Sequence, residues 1–308
     1  MGKKSTLKSA LSSQQTRLKK KQDVQKSAQA AEAKGKKPSA AKGKSKATPG
    51  PIIIPFQPTD KVLLIGEGNF SFTRALVCDP PPSLQYLPSS NVVATAYDTE
   101  AQCYEKYPEA QAIVEELRAK GAEIIFGVDA TKLESKSSLR NRKFDKVVWN
   151  FPHAGKGISD QDRNILSNQM LLLGFLRSAA HLLAKGAVPS AQPSRKKREA
   201  GNSDREDISA DEAEGSQSAQ TRGTILVTLR NVTPYTLWNL SKLAKSPPPP
   251  QAAADQANPR YTQLRSFVFH RQLWKGYEHR MTKGERAYGK GTTGQGGEDR
   301  TWEFFLRD

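Results

Sequence analysis

Two cysteines, Cys78 and Cys103, are all that the 308 residues contain. They cannot build a disulfide framework, and so low a count suits a reducing compartment. Four scattered histidines and those two distant thiols form no cluster with metal-ligand spacing, so no metal site is expected. No apolar run approaches the ~18 residues of a membrane span, and the first residues show no apolar stretch of the secretory kind. The expectation is a soluble, intracellular protein without membrane contact. A complete RRM or KH signature is also missing. The first fifty residues have almost no aromatic or branched apolar side chain to bury, so this tail should be disordered.

Basic charge is abundant but unevenly placed. Of the net +17, about +12 lies in residues 1–50, where thirteen Lys and Arg17 face only Asp23 and Glu32. The total therefore does not establish a folded polyanion-binding groove. The tail suits nuclear or nucleolar addressing and loose contact with RNA phosphates, with a merely solubilising role as the alternative.

The folded part begins near residue 51 and is organised around Lys61–Ser71, KVLLIGEGNFS. Val62–Ile65 reads as a buried strand, Gly66-Glu67-Gly68 as a tight turn, and Phe70–Val77 as a helix. In an α/β protein such a unit sets backbone N–H groups and a helix N-terminus at the carboxyl edge of the sheet, where nucleotide-like ligands bind. Ser71 stands where a dinucleotide fingerprint would carry its third glycine, so the motif alone is weak. Asn91–Tyr97 reads as the second strand and delivers Asp98, a carboxylate suited to ribose hydroxyls or, alternatively, to capping the helix near Glu100. Ile124–Val128 is the third strand and ends at Asp129-Ala130, with a helix expected around Lys132–Leu139.

Phe144–Trp149, the fourth strand, runs into Asn150-Phe151-Pro152-His153. An amide, an aromatic and a proline at a strand mouth make a stiff turn able to stack on a planar ring and bond its edge. Ser159 looks like the cap of the next helix, which Gly186 closes. Residues 187–222 and 246–259 read as disordered insertions. Thr224–Leu229 is the fifth strand, followed by a helix over Tyr235–Ala244. Tyr261–Phe269 and Trp302–Leu306 are the last two strands, and Arg271–Arg300 between them carries Trp274 and Tyr277 among basic residues and a glycine-rich turn from Gly284 to Gly297.

Five strand–helix units followed by two strands without an intervening helix place an antiparallel strand in the sheet. This arrangement resembles the class I S-adenosylmethionine-dependent methyltransferases: a Rossmann-like α/β fold, a seven-stranded mixed sheet with an antiparallel C-terminal hairpin, and helices on both faces. LLIGEGNFSF, VVATAYD, FGVDAT, FDKVVWNFPHAG, LVTLRN and the terminal WEFFL together look like the fungal enzymes that methylate N3 of a uridine in large-subunit (25S) ribosomal RNA. The resemblance implies that Gly66, Glu67, Gly68 and Asn69 wrap the amino-acid part of S-adenosylmethionine, with Phe70 beside it. Asp98 would hold the ribose, and Asp129 with Ala130 the adenine edge.

Asn150–His153 falls where other N-methyltransferases carry an Asp/Asn-Pro-Pro-aromatic motif, with Phe151 and His153 as the departures. A uridine imide has one N–H between two carbonyls and must lose that proton to attack. Asn150 is expected to position the imide, Phe151 to stack on uracil, and His153, taken as the only histidine on this edge, to assist proton removal or merely orient the turn. Lys156, Arg230, Arg271, Lys275, Arg280 and Lys283, interleaved with Trp274 and Tyr277, are the expected RNA contacts. The expected partner is large-subunit ribosomal RNA in the nucleolus during ribosome biogenesis. A monomer is expected, though no residue sets the oligomeric state. Two other readings stand beside this one: an assembly factor that keeps the fold and binds RNA without catalysis, and an NAD-dependent oxidoreductase, which NFPH and the final hairpin disfavour.

Overall fold

Strand periodicity sets the layering. In β1 (Val62–Ile65), Val62 and Leu64 face one layer while Leu63 and Ile65 face the other. The computed structural model describes residues 52–189, 221–249, 257–282 and 297–307. The basic tail, most of the first insertion, part of the second, Lys283 and nearly all of the glycine-rich turn lie outside the described residues.

The other strands are β2 (Val92–Thr95), β3 (Glu123–Ile125), β4 (Lys146–Asn150), β5 (Thr224–Arg230), β6 (Tyr261–Val268) and β7 (Asp299–Leu306). They form one sheet in the order β3-β2-β1-β4-β5-β7-β6. Pairing is parallel from β3 through β5, and β7 is antiparallel to both β5 and β6. The expected mixed sheet with its C-terminal hairpin is therefore present. The carboxyl ends of β1, β2, β4, β5 and β6 consequently share one edge, so the chain leaving β6 starts beside the glycine turn.

Helices α1 (Ser71–Val77), α2 (Glu100–Lys106) and α3 (Ala110–Ala119) cover one face; α4 (Gln161–Ala179) and α5 (Leu240–Lys245) cover the other. Glu303 of β7, fully buried, fixes the hairpin against β4 and β6 by bonding Lys146 at 2.9 Å and Arg265 at 2.6 Å.

Some expected boundaries differ for identifiable reasons. Asp160, not Ser159, caps α4, its Oδ1 accepting from the Arg163 N–H at 2.8 Å. The helix expected over Lys132–Leu139 shrinks to a 3-10 turn, Leu133–Ser135, because Asp129 and Thr131 close a side-chain turn ahead of it. The helix expected over Tyr235–Ala244 is split at Asn239, which takes a left-handed conformation at φ 54°.

Candidate active site

At the carboxyl edge lies a cavity of about 520 Å³, within the range of small-molecule sites. Its walls bring together segments far apart in sequence: Gly66–Asn69, Tyr97-Asp98, Val128–Thr131, Trp149–Ala154 and Tyr277–Arg280. The glycine turn requires its glycine. Gly66 has φ +64°, and a Cβ there would stand 2.7 Å from the Trp149 indole Nε1. Glu67 faces the cavity and accepts from the Thr73 N–H and hydroxyl, each at 3.3 Å. Burial pushes its carboxyl up to about 7, against which those two bonds pull only partly. Asn69 spends its side chain on the scaffold: Oδ1 accepts from the Ser71 N–H, and Nδ2 donates to Glu109.

Two carboxylates flank this turn, as expected. Asp98 Oδ2 accepts from Lys106 Nζ at 2.6 Å, and Asp129 Oδ1 accepts from the Thr131 N–H and hydroxyl. The helix cap that Asp98 could have supplied belongs to Thr99, which forms a full capping box with Gln102. Asp98 and Asp129 each keep a second oxygen, so the donor set fits a nucleoside with a ribose diol and an amino-bearing base edge. Ala130 lines the same wall. Phe70 does not reach the cavity: it is fully buried, with its ring centroid 5.4 Å from that of Phe126. Its ring thus packs in the core and its backbone is left-handed at φ 60°, whereas Gly66–Asn69 before it line the cavity.

Asn150, Phe151, Pro152 and His153 all line the opposite wall. Asn150 Oδ1 accepts from the Thr228 hydroxyl at 2.8 Å, while its buried Nδ2 has no partner among the described residues. Ser167 Oγ of α4, on the same cavity, is likewise unpartnered. Buried orphan donors are costly and mark places where a ligand completes the bonding.

The Phe151 ring is less available than expected, being engaged by the Arg271 guanidinium at 4.9 Å and the His279 ring at 4.6 Å. His153 is exposed on the rim, and desolvation by the atoms around it lowers its pKa from the ordinary histidine value. Its Nδ1 accepts from the Gly155 N–H at 2.9 Å, which places the proton of the neutral ring on Nε2. His153 thus offers a donor, and the proton-accepting role expected of it would require that bond to break.

The residues that sequence reading missed come chiefly from the connection after β6. Ser71 Oγ both donates to the Glu278 carbonyl and accepts from the Glu278 N–H, each at 3.0 Å. Tyr107 Oη donates to the Met281 carbonyl at 2.8 Å, and Arg280 pairs with Glu109 at 2.6 Å. The strap so held brings Tyr277, Glu278, His279 and Arg280 onto the cavity, so His153 is not the only histidine there.

The expected RNA contacts separate in the same way. Lys156 is exposed on the cavity rim, and Lys275 is 81% exposed despite an ion pair with Asp79. Arg271 is tied to Asp299 at 2.6 Å, and Arg280 to Glu109 and Glu278. Arg230 is half-buried at the end of β5. Trp274 is only 4% exposed and packs on Phe56 and Phe72, so it is core and not a stacking platform for RNA bases. Tyr277 likewise packs its ring on Phe72 and Phe269.

Comparison with known proteins agrees with this arrangement. Residues 63–281 match the family described as rRNA (uridine-N3-)-methyltransferase, BMT5-like. The chain is 27% identical over 255 residues to the 25S rRNA (uridine(2634)-N(3))-methyltransferase of Saccharomyces cerevisiae, covering 76% of this chain and 69% of that one. It is 26% identical over 228 residues to heavy metal-associated isoprenylated plant protein 41 of Arabidopsis thaliana, covering 74% of this chain and 34% of the other. A mouse ferredoxin-fold anticodon-binding domain-containing protein 1 homolog is 34% identical over 147 residues, 44% of this chain and 22% of that protein. The chain thus spans only a minor part of the latter two. With its match covering both the glycine turn and the NFPH wall, this chain belongs to the BMT5-like rRNA (uridine-N3-)-methyltransferase family.

Proposed function

We propose that the protein methylates N3 of a uridine in large-subunit ribosomal RNA, using S-adenosylmethionine, during ribosome biogenesis in the nucleolus. When bound, the cofactor supplies an electrophilic sulfonium methyl. Gly66–Gly68, Glu67, Asp98 and Asp129 would hold it, for the reasons of shape and donor set given above.

The observation that carries the choice of base is the polarity of Asn150. A motif that serves an exocyclic amine needs a side-chain carbonyl to accept from the NH2 group. Here that oxygen already accepts from Thr228, and the atom without a partner among the described residues is the N–H donor Nδ2. His153, protonated on Nε2, is a donor as well. Donors suit the carbonyls that flank a uracil N–H, and they stabilise the negative charge those oxygens gain as N3 loses its proton. A paired uridine buries N3 against its partner, so the substrate must be unpaired or flipped. Lys156, exposed on the rim, would meet its phosphates.

The test is methyl transfer by purified protein onto fragments of large-subunit rRNA, followed by nucleoside mass spectrometry. 3-Methyluridine is the expected product. Methyl label on cytidine or adenosine, or no S-adenosylmethionine binding by calorimetry, would refute the assignment. Loss of one 3-methyluridine from the rRNA of cells lacking the protein checks the substrate in vivo, and imaging of a tagged chain checks the nucleolar address.

A further inference from the structure

His279 reaches the cavity on the strap after β6, and among the described residues it is held there by ring packing alone. It rides on the strap after β6, is half-buried, lines the cavity, and lies against the Phe151 ring at 4.6 Å. Neither of its ring nitrogens has a hydrogen-bond partner among the described residues. By contrast, Ser71, Tyr107 and Arg280 around it are spent on holding the strap to the glycine turn and α3.

We propose that His279, packed against Phe151 on the cavity, contacts the substrate base by donating an imidazole N–H to a carbonyl of the target uracil. This rests on the uridine reading above and adds a residue to it. The geometry matters because an imide has two carbonyls, and both gain charge when N3 is deprotonated. Asn150 and His153 after β4 supply donors for one carbonyl, and His279 on the strap supplies a further donor for the other.

The electrostatics point the same way. Burial, with the positive charge of Arg271 and Arg230 next in weight, pushes the His279 pKa down to about 4. The ring is therefore neutral at physiological pH and keeps an N–H to give. A base so weak does not readily strip an imide proton; of the causes of its low pKa, burial disfavours any charge, while the lesser one, the positive charge of Arg271 and Arg230, favours an anion bound beside it.

The experiment compares His279→Phe and His279→Gln in the full chain, with melting temperature and S-adenosylmethionine affinity measured alongside methyl transfer to rRNA fragments. Phe keeps the packing on Phe151 without an N–H; Gln keeps a donor without the imidazole. The expected result is that the Phe variant loses about 10- to 100-fold in kcat/KM, that of a charge-assisted hydrogen bond. The Gln variant should stay within about fivefold of wild type on the same scale, and cofactor affinity should be unchanged in both. Wild-type rates in the Phe variant would overturn the contact, and a Gln variant as slow as Phe would overturn the donor role.

If neither variant folds, wild-type protein can be given RNA whose target uracil carries sulfur at position 2 or position 4. Slower transfer to both thio-substrates than to uridine is the expected result, since each carbonyl receives a donor, and a uridine-like rate on either of them would overturn the contact. Wild-type protein that leaves uridine unmodified would instead bring down the reading of the reaction, and the role of His279 with it.

Discussion

Ser71 and Glu278, 207 residues apart, hold each other by a reciprocal pair of 3.0 Å hydrogen bonds between one hydroxyl and one peptide unit. Ser71 opens α1 directly after the glycine turn, and Glu278 sits in the strap that completes the cavity. Two segments far apart in sequence are thereby joined at the site where the methyl donor is proposed to bind. Ser71→Ala leaves a carbonyl and an N–H without their partner at a part-buried position. The expected cost is about 1–3 kcal/mol of stability. Weaker S-adenosylmethionine binding should accompany it, read by chemical denaturation and by calorimetry.

Gly66→Ala should be more damaging to binding than to folding. The left-handed backbone costs a Cβ-bearing residue about 1–2 kcal/mol. The new methyl would also meet the Trp149 indole at 2.7 Å, at the floor of the cavity. The variant is expected to fold with a lowered melting temperature and to lose detectable cofactor affinity. Retained affinity at wild-type strength would show that the turn does not carry the cofactor.

Glu67 supplies a pH dependence whose sign follows from its environment. In the unfolded chain it ionises near 4.5, whereas burial in the folded chain raises it to about 7, so the folded state holds the proton longer. The stability it contributes is fully present below about 4.5 and is lost as pH rises through about 7. Glu67→Gln removes that loss, so its melting temperature should gain on wild type more at pH 8 than at pH 5, on the order of the linkage rule. A cationic ammonium bound beside Glu67 would lower its pKa, so cofactor binding at about pH 6 should release a proton. Calorimetry in two buffers of different ionisation enthalpy reads this directly, and the Gln variant should not show it.

How much of this was legible beforehand depends on the range of the signal. The glycines after Val62–Ile65, the strand ends at Asp98 and Asp129, and NFPH after β4 are local patterns, and all four segments converge on the cavity. The hairpin was countable because, among the described residues, no α-helix separates β6 from β7. The strap was not, since composition alone makes WKGYEHR read as a basic, aromatic RNA-binding loop. A signal was nonetheless present: β6 runs parallel to β1 and β4, so the residues after it must begin at the same edge as the glycine turn. Phe70 misled because a helix-entry aromatic beside a glycine turn can face either way, and only its φ of 60° sends it inward. The tautomer of His153 could not be read either, as it depends on the Gly155 N–H folding back onto the ring.

Trp274 and the exposed lysines should part company when RNA binding and stability are measured on the same variants. Trp274 packs between the N-terminal Phe56 and the α1 residue Phe72, at ring distances of 5.8 and 4.8 Å. Trp274→Ala should therefore cost about 3–5 kcal/mol in a denaturant titration, as a large buried aromatic does. In conditions where that variant stays folded, its RNA affinity should change little. Lys156→Ala and Lys275→Ala should do the reverse, leaving the unfolding midpoint in place and weakening RNA binding. Each should reduce the slope of log affinity against log salt by up to ~1 if its ammonium meets a phosphate. For Lys275, the Asp79 ion pair competes with the phosphate, so the change in slope should be the smaller of the two. A tryptophan variant that stays fully stable and loses RNA affinity would move Trp274 out of the core and back to the RNA surface.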